Sequence, residues 1–290
     1  MTRTTDTSVL EDWQAIGRSE DVPLERPRRT RLLGQDILVE RHPDGLRVFE
    51  LDAGERRLRS ARVQERYGHV FVSLGEDPRP LLELPEFEQP GRRLITSGIV
   101  TVRASPLRIV ENFLDMAHFP YVHTNILGAE PHTEVLPYNA EIRRGVDEVW
   151  ATGCQFYQQQ AAMSAEGGQQ IAYEYRVSSP FITVLYKTCP ERADEWDLIG
   201  LLVQPLEEDL CDVHTFMLLF DSSTPDIALV HFQQTIFIQD RSILENQRPR
   251  LMPLEAGAER PVRADLTSST YRRWLRARGV SFGALKSHPA

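Results

Sequence analysis

Cysteine is scarce in this chain: three residues in 290, Cys154, Cys189 and Cys211, with none before position 154. An odd, widely spaced set without a Cys-x-x-Cys pair excludes a disulfide framework and a zinc ribbon. The empty first 153 residues exclude a thiolate-ligated cluster there as well. Long apolar runs are also missing, since no stretch approaches the roughly 18 uninterrupted apolar residues of a membrane span. The opening MTRTTDTSVLEDW lacks the apolar centre of a signal peptide. Nor is there an excess of positive charge: 33 Lys+Arg face 42 Asp+Glu, a formal net charge of −9, so no global basic field collects nucleic acid or an anionic membrane. Lysine is nearly absent, with only Lys187 and Lys286 among the basic residues, a bias of the kind a GC-rich genome produces. These absences lead to the expectation of a cytoplasmic, reduced, soluble protein with no nucleic-acid or membrane partner.

What is present is a globular composition, 41% hydrophobic and 26% charged, with enough apolar material for a sizeable core. Between about Glu11 and Gly75, short β-like runs alternate with turns: Arg31–Leu33, Asp36–Glu40, Leu46–Leu51 and His69–Leu74. His42-Pro-Asp-Gly45 marks a turn between two of them. Asp77 to Pro90 carries four prolines in 14 residues, which resist helix interior and central strand alike and mark a connecting segment. The pattern predicts two units, a small β module over 1–90 and a larger one over 91–290.

The larger unit opens with a predicted strand, Leu94–Ala104, and an apolar helical stretch, Leu107–Phe119. Alternating segments follow at Glu148–Gln158, Ile171–Val177, Phe181–Tyr186, Leu198–Val203 and Val213–Phe220. A long helix is predicted from Thr224-Pro225-Asp226, with Thr224 as N-cap, to about Gln247, and a shorter one near Ser269–Arg278. Strands in a block with helices before and after predict an α+β fold with an antiparallel sheet.

The chemistry concentrates in ENFLDMAHFPYVHTNILG, Glu111 to Gly128. Its two histidines are five residues apart, which on an unbroken helix points them about 140° from each other. Pro120 between them predicts a bend or end near Phe119, and that break lets His118 and His123 converge. Convergent imidazoles suit iron, zinc or copper, although a helix-borne histidine pair is also commonly structural. Asp115, one turn before His118, is within reach of its imidazole, as a carboxylate orienting a metal-bound histidine would be. In the long helix, Leu229, Gln233, Ile236, Phe237, Asp240, Ile243, Leu244 and Gln247 form one stripe, with Asp240 in its middle. A carboxylate there must be protonated, salt-bridged or bound to a cation. Two histidines and a buried carboxylate have the make-up of a facial triad, which leaves coordination positions free on Fe(II). Gln233 and Phe237, two turns and one turn before Asp240, face the same cavity as candidate substrate contacts, an amide for hydrogen bonds and a ring for stacking.

These residues resemble a known family. Asn112-x-x-Asp115-x-x-His118-x4-His123 is similar to the iron-binding motif of the oxygenase component of Rieske non-haem iron oxygenases. Gln239-Asp240-Arg-Ser-Ile-Leu-Glu245-Asn-Gln247 resembles the later segment whose Asp is the third ligand. Leu32-Leu33-Gly34-Gln35 and Tyr67 to Gly75 resemble, more weakly, strands framing the family's N-terminal domain. The vanillate, dicamba and methylxanthine demethylase branch is the best match. One departure stands out: the family's Cys-x-His and Cys-x-x-His pairs, two thiolates and two imidazoles for a [2Fe–2S] cluster, are both missing. Only 15 residues separate Leu51 from Tyr67, where the family has cluster-binding loops.

The resemblance implies a helix-grip catalytic domain behind a truncated β remnant, with Fe(II) held by His118, His123 and Asp240 and no [2Fe–2S] in this chain. It implies that Asp115 bridges a ligand histidine to a neighbouring Rieske centre; Asn112 is a candidate substrate contact beside the iron site or a plain helix residue. It further implies an O2-activating monooxygenase that removes an N- or O-methyl group from a small aromatic or heteroaromatic substrate. NAD(P)H would be the ultimate reductant, through a Rieske-containing reductase or a complete homologous oxygenase subunit, in a trimer or hetero-hexamer. Two other readings stand beside it: a non-catalytic subunit stabilising a complete oxygenase, and a metal-free helix-grip binding module. The three cysteines are expected to be buried small hydrophobes, His214 and His231 structural or cavity-lining, and Tyr271–Arg278 a solvated amphipathic helix or a docking site for an acidic electron-donor protein.

Overall fold

The computed structural model describes residues 3–24, 26–163, 167–192 and 194–286. After a single helical turn, α1 (Thr7–Leu10), the chain builds a six-stranded sheet from β1 (Gln14–Arg18), β2 (Arg28–Leu32), β3 (Gln35–His42), β4 (Gly45–Leu51), β5 (Arg57–Arg66) and β6 (His69–Ser73), in the order β1-β6-β5-β4-β3-β2. The His42-Pro-Asp-Gly45 turn closes the β3–β4 hairpin as expected, with His42 paired to Gly45 and the glycine at φ +133°, a value only glycine adopts freely. Two strands, β1 and β5, were not anticipated. Four of the five β1 residues are buried, so no alternation marks it, and β5 is largely exposed and rich in arginine, with little apolar signal.

The proline-rich stretch after β6 is a connector, as its composition predicts. It is nonetheless anchored: Leu81, Leu82 and Leu84 are buried beside Ile182, Val184 and Phe216. The seven-stranded sheet follows, made of β7 (Arg93–Val102), β8 (Asn139–Arg143), β9 (Glu148–Gln158), β10 (Gln169–Ser179), β11 (Ile182–Thr188), β12 (Trp196–Glu207) and β13 (Leu210–Leu219). Its order is β7-β13-β12-β11-β10-β9-β8, antiparallel throughout. Four further helices complete the chain: α2 (Pro106–Leu114), α3 (Phe119–Val122), α4 (Asp226–Asn246) and α5 (Leu266–Arg278). The fold is α+β, as the strand block and flanking helices predict.

Helix boundaries differ from expectation most informatively in α2 and α4. α2 stops at Leu114, five residues before Phe119, because Asp115 leaves helical geometry (φ −89°, ψ 130°) and its Oδ1 accepts the N–H of Ala117 at 2.8 Å. An Asp side chain offering its backbone an alternative partner ends the helix earlier than Pro120 does. Pro120 instead lies in the first turn of α3, where its missing N–H costs nothing. α4 begins one residue late: Pro225 occupies the N-cap, and the turn before it is fixed by Asp221, whose Oδ1 accepts from the N–H of Ser223 (2.9 Å) and Thr224 (2.8 Å). Thr224 is therefore no side-chain cap.

One apolar core runs through both sheets, joining Ile37, Val39 and Val48 to Leu201, Val203, Tyr271 and Trp274. At the seam, the N–H groups of Leu33 and Gly34 donate to the carbonyls of Pro205 (2.7 Å) and Leu206 (3.0 Å), and Gln204 donates to Arg31 O at 2.7 Å. The two ends of the chain meet as well. Asp6 accepts the N–H groups of Ser281 (2.7 Å) and Phe282 (3.0 Å), and buried Asp12 accepts two 3.0 Å hydrogen bonds from Arg278. The predicted solvated helix Tyr271–Arg278 is thus only partly so: Tyr271, Trp274 and Leu275 are core residues, and Arg272 and Arg278 are committed to carboxylates. No described helix is long and apolar enough to cross a membrane.

Candidate active site

The early end of α2 is what builds the site. Freed from the helix, Asp115 turns its second oxygen to His118, whose Nδ1 lies 2.9 Å from Oδ2. His118 then caps the single turn of α3, and His123 closes it, its N–H donating to Phe119 O at 3.0 Å. Two histidines that diverge on a continuous helix are thereby set side by side, Nε2 to Nε2 at 3.1 Å. Gly128 holds the following loop against this turn: a Cβ there would lie 2.8 Å from the backbone nitrogen of Pro120, so only glycine fits without a shift. α2 itself is braced by an ion network in which Glu111 pairs with Arg108 and Arg272, and Glu259 with both arginines.

Asp240 reaches the same point from α4. Its stripe is buried at Leu229, Gln233, Phe237, Asp240 and Leu244, whereas Ile243, expected on that face, is exposed at the stripe's edge. Asp240 Oδ1 lies 3.0 Å from His123 Nε2 and 3.4 Å from His118 Nε2. These approaches bring one oxygen and two imidazole nitrogens together as a group of atoms able to hold one metal ion.

The far side of each imidazole fixes its tautomer. His118 Nδ1–H donates to Asp115, and His123 Nδ1–H donates to Gln239 Oε1 at 2.8 Å, which leaves both Nε2 atoms as acceptors toward the shared point. Gln239 was not singled out from the sequence. It lies off the apolar stripe, and its partner is 116 residues away. Burial opposes charge on His118, but hydrogen bonding to Asp115 and Asp240 outweighs it and raises the pKa to about 9. Burial likewise opposes charge on Asp240, and the two imidazoles outweigh it, lowering the carboxyl to about 2. The pocket thus favours a positive charge at its centre.

The donor set fits a metal of the iron type. Atoms bonded at roughly 2.1 Å to one ion are about 3.0 Å apart at right angles and about 3.4 Å apart at tetrahedral angles. The separations here, 3.0, 3.1 and 3.4 Å, fall within that range, so the three atoms are close enough together to share one ion.

The triad lines a largely apolar cavity between α4 and the seven-stranded sheet, and Asn112, Gln233 and Phe237 all line it too. Asn112 also borders an outer cleft with Asp115, His118 and Gln247. Asp115 therefore faces away from the cavity, toward the outside. His214 and His231 do not line the cavity: His214 is buried near His69 between the sheets, and His231 is exposed. All three cysteines are free and buried, as expected.

Residues 102–279 match the vanillate O-demethylase oxygenase C-terminal domain, and the chain belongs to the Rieske oxygenase family as a catalytic subunit. It is 43% identical over 278 residues to the probable methylxanthine N7-demethylase NdmC of Pseudomonas sp. (strain TJI-51), covering 96% of this chain and 97% of that protein. It is 26% identical over 229 residues to the methylxanthine N1-demethylase NdmA of Pseudomonas putida, which spans 73% of this chain and 59% of that protein. The solved structure of NdmA from P. putida CBB5 with caffeine superposes with a TM-score of 0.75 at 17% identity, over 93% of this chain and 90% of the other. Dicamba monooxygenase bound to dicamba gives 0.72 at 16%, over 93% and 97%. At such identities the structures establish the fold. The family implies a mononuclear non-haem iron, with which the His118–His123–Asp240 group is compatible.

Proposed function

We propose that the chain is an Fe(II)-dependent monooxygenase subunit that demethylates a small heteroaromatic substrate, a methylxanthine, at nitrogen. The observation that carries this reading is the convergence of His118 Nε2, His123 Nε2 and Asp240 Oδ1 on the wall of an apolar cavity. These three residues hold the metal. When bound, Fe(II) supplies O2 activation: the methyl group, O2, two electrons and two protons give a hydroxymethyl group and water, and the hemiaminal then releases formaldehyde.

The chain's own residues do the rest. Asp115 and Gln239 keep both imidazoles turned with Nε2 inward. Phe237 offers its ring to the flat face of the substrate and Gln233 its amide to a polar edge, both from the helix that carries Asp240. The apolar lining excludes water, which protects the reaction from side paths. Asn112 borders the substrate cavity beside the triad.

With no cysteine in its first 153 residues, residues 1–90 are a cluster-free remnant joined to the catalytic unit 91–290. Electrons drawn from NAD(P)H then arrive from a Rieske cluster on a partner, a reductase or a complete homologous subunit, within a trimer or hetero-hexamer. The outer cleft at Asp115 supports entry at that edge. The missing cluster also motivates the reading of a non-catalytic subunit, but erosion of function would have spared no reason to keep both tautomer-fixing contacts and all three donors.

The test is iron content together with turnover. About one iron per chain, lost in Asp240→Ala, and formaldehyde release with NADH, a Rieske-bearing reductase and a panel of N- and O-methyl aromatics are expected. A chain that stays metal-free after Fe(II) reconstitution overturns the proposal.

A further inference from the structure

The sheet wall of the cavity is not uniformly apolar. Strand register sets Tyr173 on β10 opposite Lys187 on β11, and Lys187 opposite Asp197 on β12, a polar row across three neighbouring strands. Gln158, at the end of β9, joins them, and all four line the same cavity as the triad. They are nearly sealed from water, with exposures of 1% for Tyr173, 2% for Gln158, 8% for Lys187 and 4% for Asp197.

Their hydrogen-bonding capacity is largely unused. Among the described residues, neither the Tyr173 hydroxyl nor Gln158 Oε1 has a partner. Lys187 donates to the carbonyl oxygen of Ala161, and an ammonium has three donors. Asp197 Oδ1 accepts the N–H of Phe220 at 3.0 Å, and the carboxylate's field counters the burial that pushes the Lys187 ammonium down to about 8. Buried polar groups left open in this way cost free energy until something pairs with them, and here they share one cavity.

The row also stands apart from the metal site. From His118 the wall passes to the ring of Phe119, 5.1 Å between centroids, then to Tyr173 at 6.4 Å, and only across the next strand to Lys187. A ligand whose methyl group lies at the triad would present its far edge to the row.

We propose that Lys187, Tyr173 and Gln158 are specificity-determining residues that read the polar edge of the substrate: Lys187 and Tyr173 donate to a ring carbonyl oxygen, and Gln158 accepts a ring N–H. Asp197 is a positioning residue that keeps Lys187 charged. This rests on the methylxanthine reading above and narrows it, since a xanthine carries carbonyl oxygens and N–H groups on one flat ring system. An aromatic ring bearing methyl groups alone would leave the same donors and acceptors unpaired.

The test measures binding of two probes to the iron-loaded full-length protein by titration calorimetry: 7-methylxanthine, and 7-methylpurine, which lacks both carbonyl oxygens. The wild type should prefer 7-methylxanthine by about tenfold or more, because a site with buried polar groups rejects an analogue that leaves them unpaired. Lys187→Met should remove most of that preference, and Tyr173→Phe part of it, with iron per chain unchanged in both. If Lys187→Met does not fold, Tyr173→Phe, which deletes a single oxygen, decides. Variants that keep the full wild-type preference overturn the assignment while leaving the demethylase reading intact. A wild type that binds neither probe, yet releases formaldehyde from another methylated aromatic, overturns the methylxanthine reading and this inference together.

Discussion

Two histidine pairs lie among the described residues, and their fates differ. His118 and His123, with ring centroids 5.0 Å apart, each donate from Nδ1 to a fixed acceptor, and their Nε2 atoms meet a carboxylate. His69 and His214 lie 6.2 Å apart between the two sheets. His69 Nδ1 is bonded to the Tyr67 carbonyl and His214 Nε2 to Gln204, which leaves one buried nitrogen on each ring without a partner. Neither ring of the second pair contacts a carboxylate. Burial then dominates, and neighbouring charges only modify it: His69 is shifted down and His214 falls to about 3, while His118 rises to about 9. Proximity of imidazoles does not make a cation site. The carboxylate that faces them and the acceptors that fix their tautomers do.

The largest effect that would break this contrast is on iron itself. Asp240→Ala should lose nearly all bound iron, by elemental analysis, and with it formaldehyde release, whereas His69→Phe and His214→Phe should keep about one iron per chain. An iron-loaded Asp240→Ala protein would show that the imidazoles suffice. Next come the acceptors behind the rings: Asp115→Asn or Gln239→Leu should weaken iron affinity or turnover by about 10–100-fold, the usual cost of removing a ligand's hydrogen-bond partner. Equal affinities in a competition titration against a chelator would remove tautomer control from the account.

The structural pair should show itself in acid. His214 has a depressed folded pKa, so below about 6.5 the unfolded chain binds a proton that the folded chain refuses, and stability falls as pH drops toward 3. Between pH 6.5 and 5 this amounts to about 2 kcal/mol, readable as the difference in urea midpoints between wild type and His214→Phe. A difference that does not change with pH would refute it. The smallest effect concerns Lys187, a buried base whose burial outweighs the field of Asp197 and which should therefore follow His214 rather than His118. The unfolded chain holds its proton to about 10.5 but the folded one only to about 8. Stability relative to Lys187→Met should therefore rise with pH across that window, by about 1 kcal/mol per unit. A flat difference in thermal midpoint between pH 8 and 9.5 would count against it.

Much of the site was legible in the chain. The spacing of Asp115, His118 and His123, and a carboxylate in the middle of an apolar stripe, are local patterns, and local geometry realises them. The cause of convergence differs from the pattern: Pro120 predicts the break, but the Asp115 side chain, which competes for backbone N–H groups, ends the helix first. Gln239 and the Tyr173–Lys187–Asp197 row were not legible, since one depends on a partner 116 residues away and the other on strand register. β1 and β5 escaped for a related reason: one is buried on both faces, the other scarcely at all, and periodicity reads only strands with one face in and one face out.

The contacts of Asp6 and Asp12 with residues 278–282 carry a consequence for how the molecule is made. The core they seal contains Val9 and Leu10 together with Val280, Phe282 and Ala284. During synthesis the small sheet leaves the ribosome first, but that part of its core stays open until the last helix follows. Folding therefore completes only after translation has passed residue 284. In the interval that core lacks Val280, Phe282 and Ala284, which makes the nascent chain a candidate for chaperone capture.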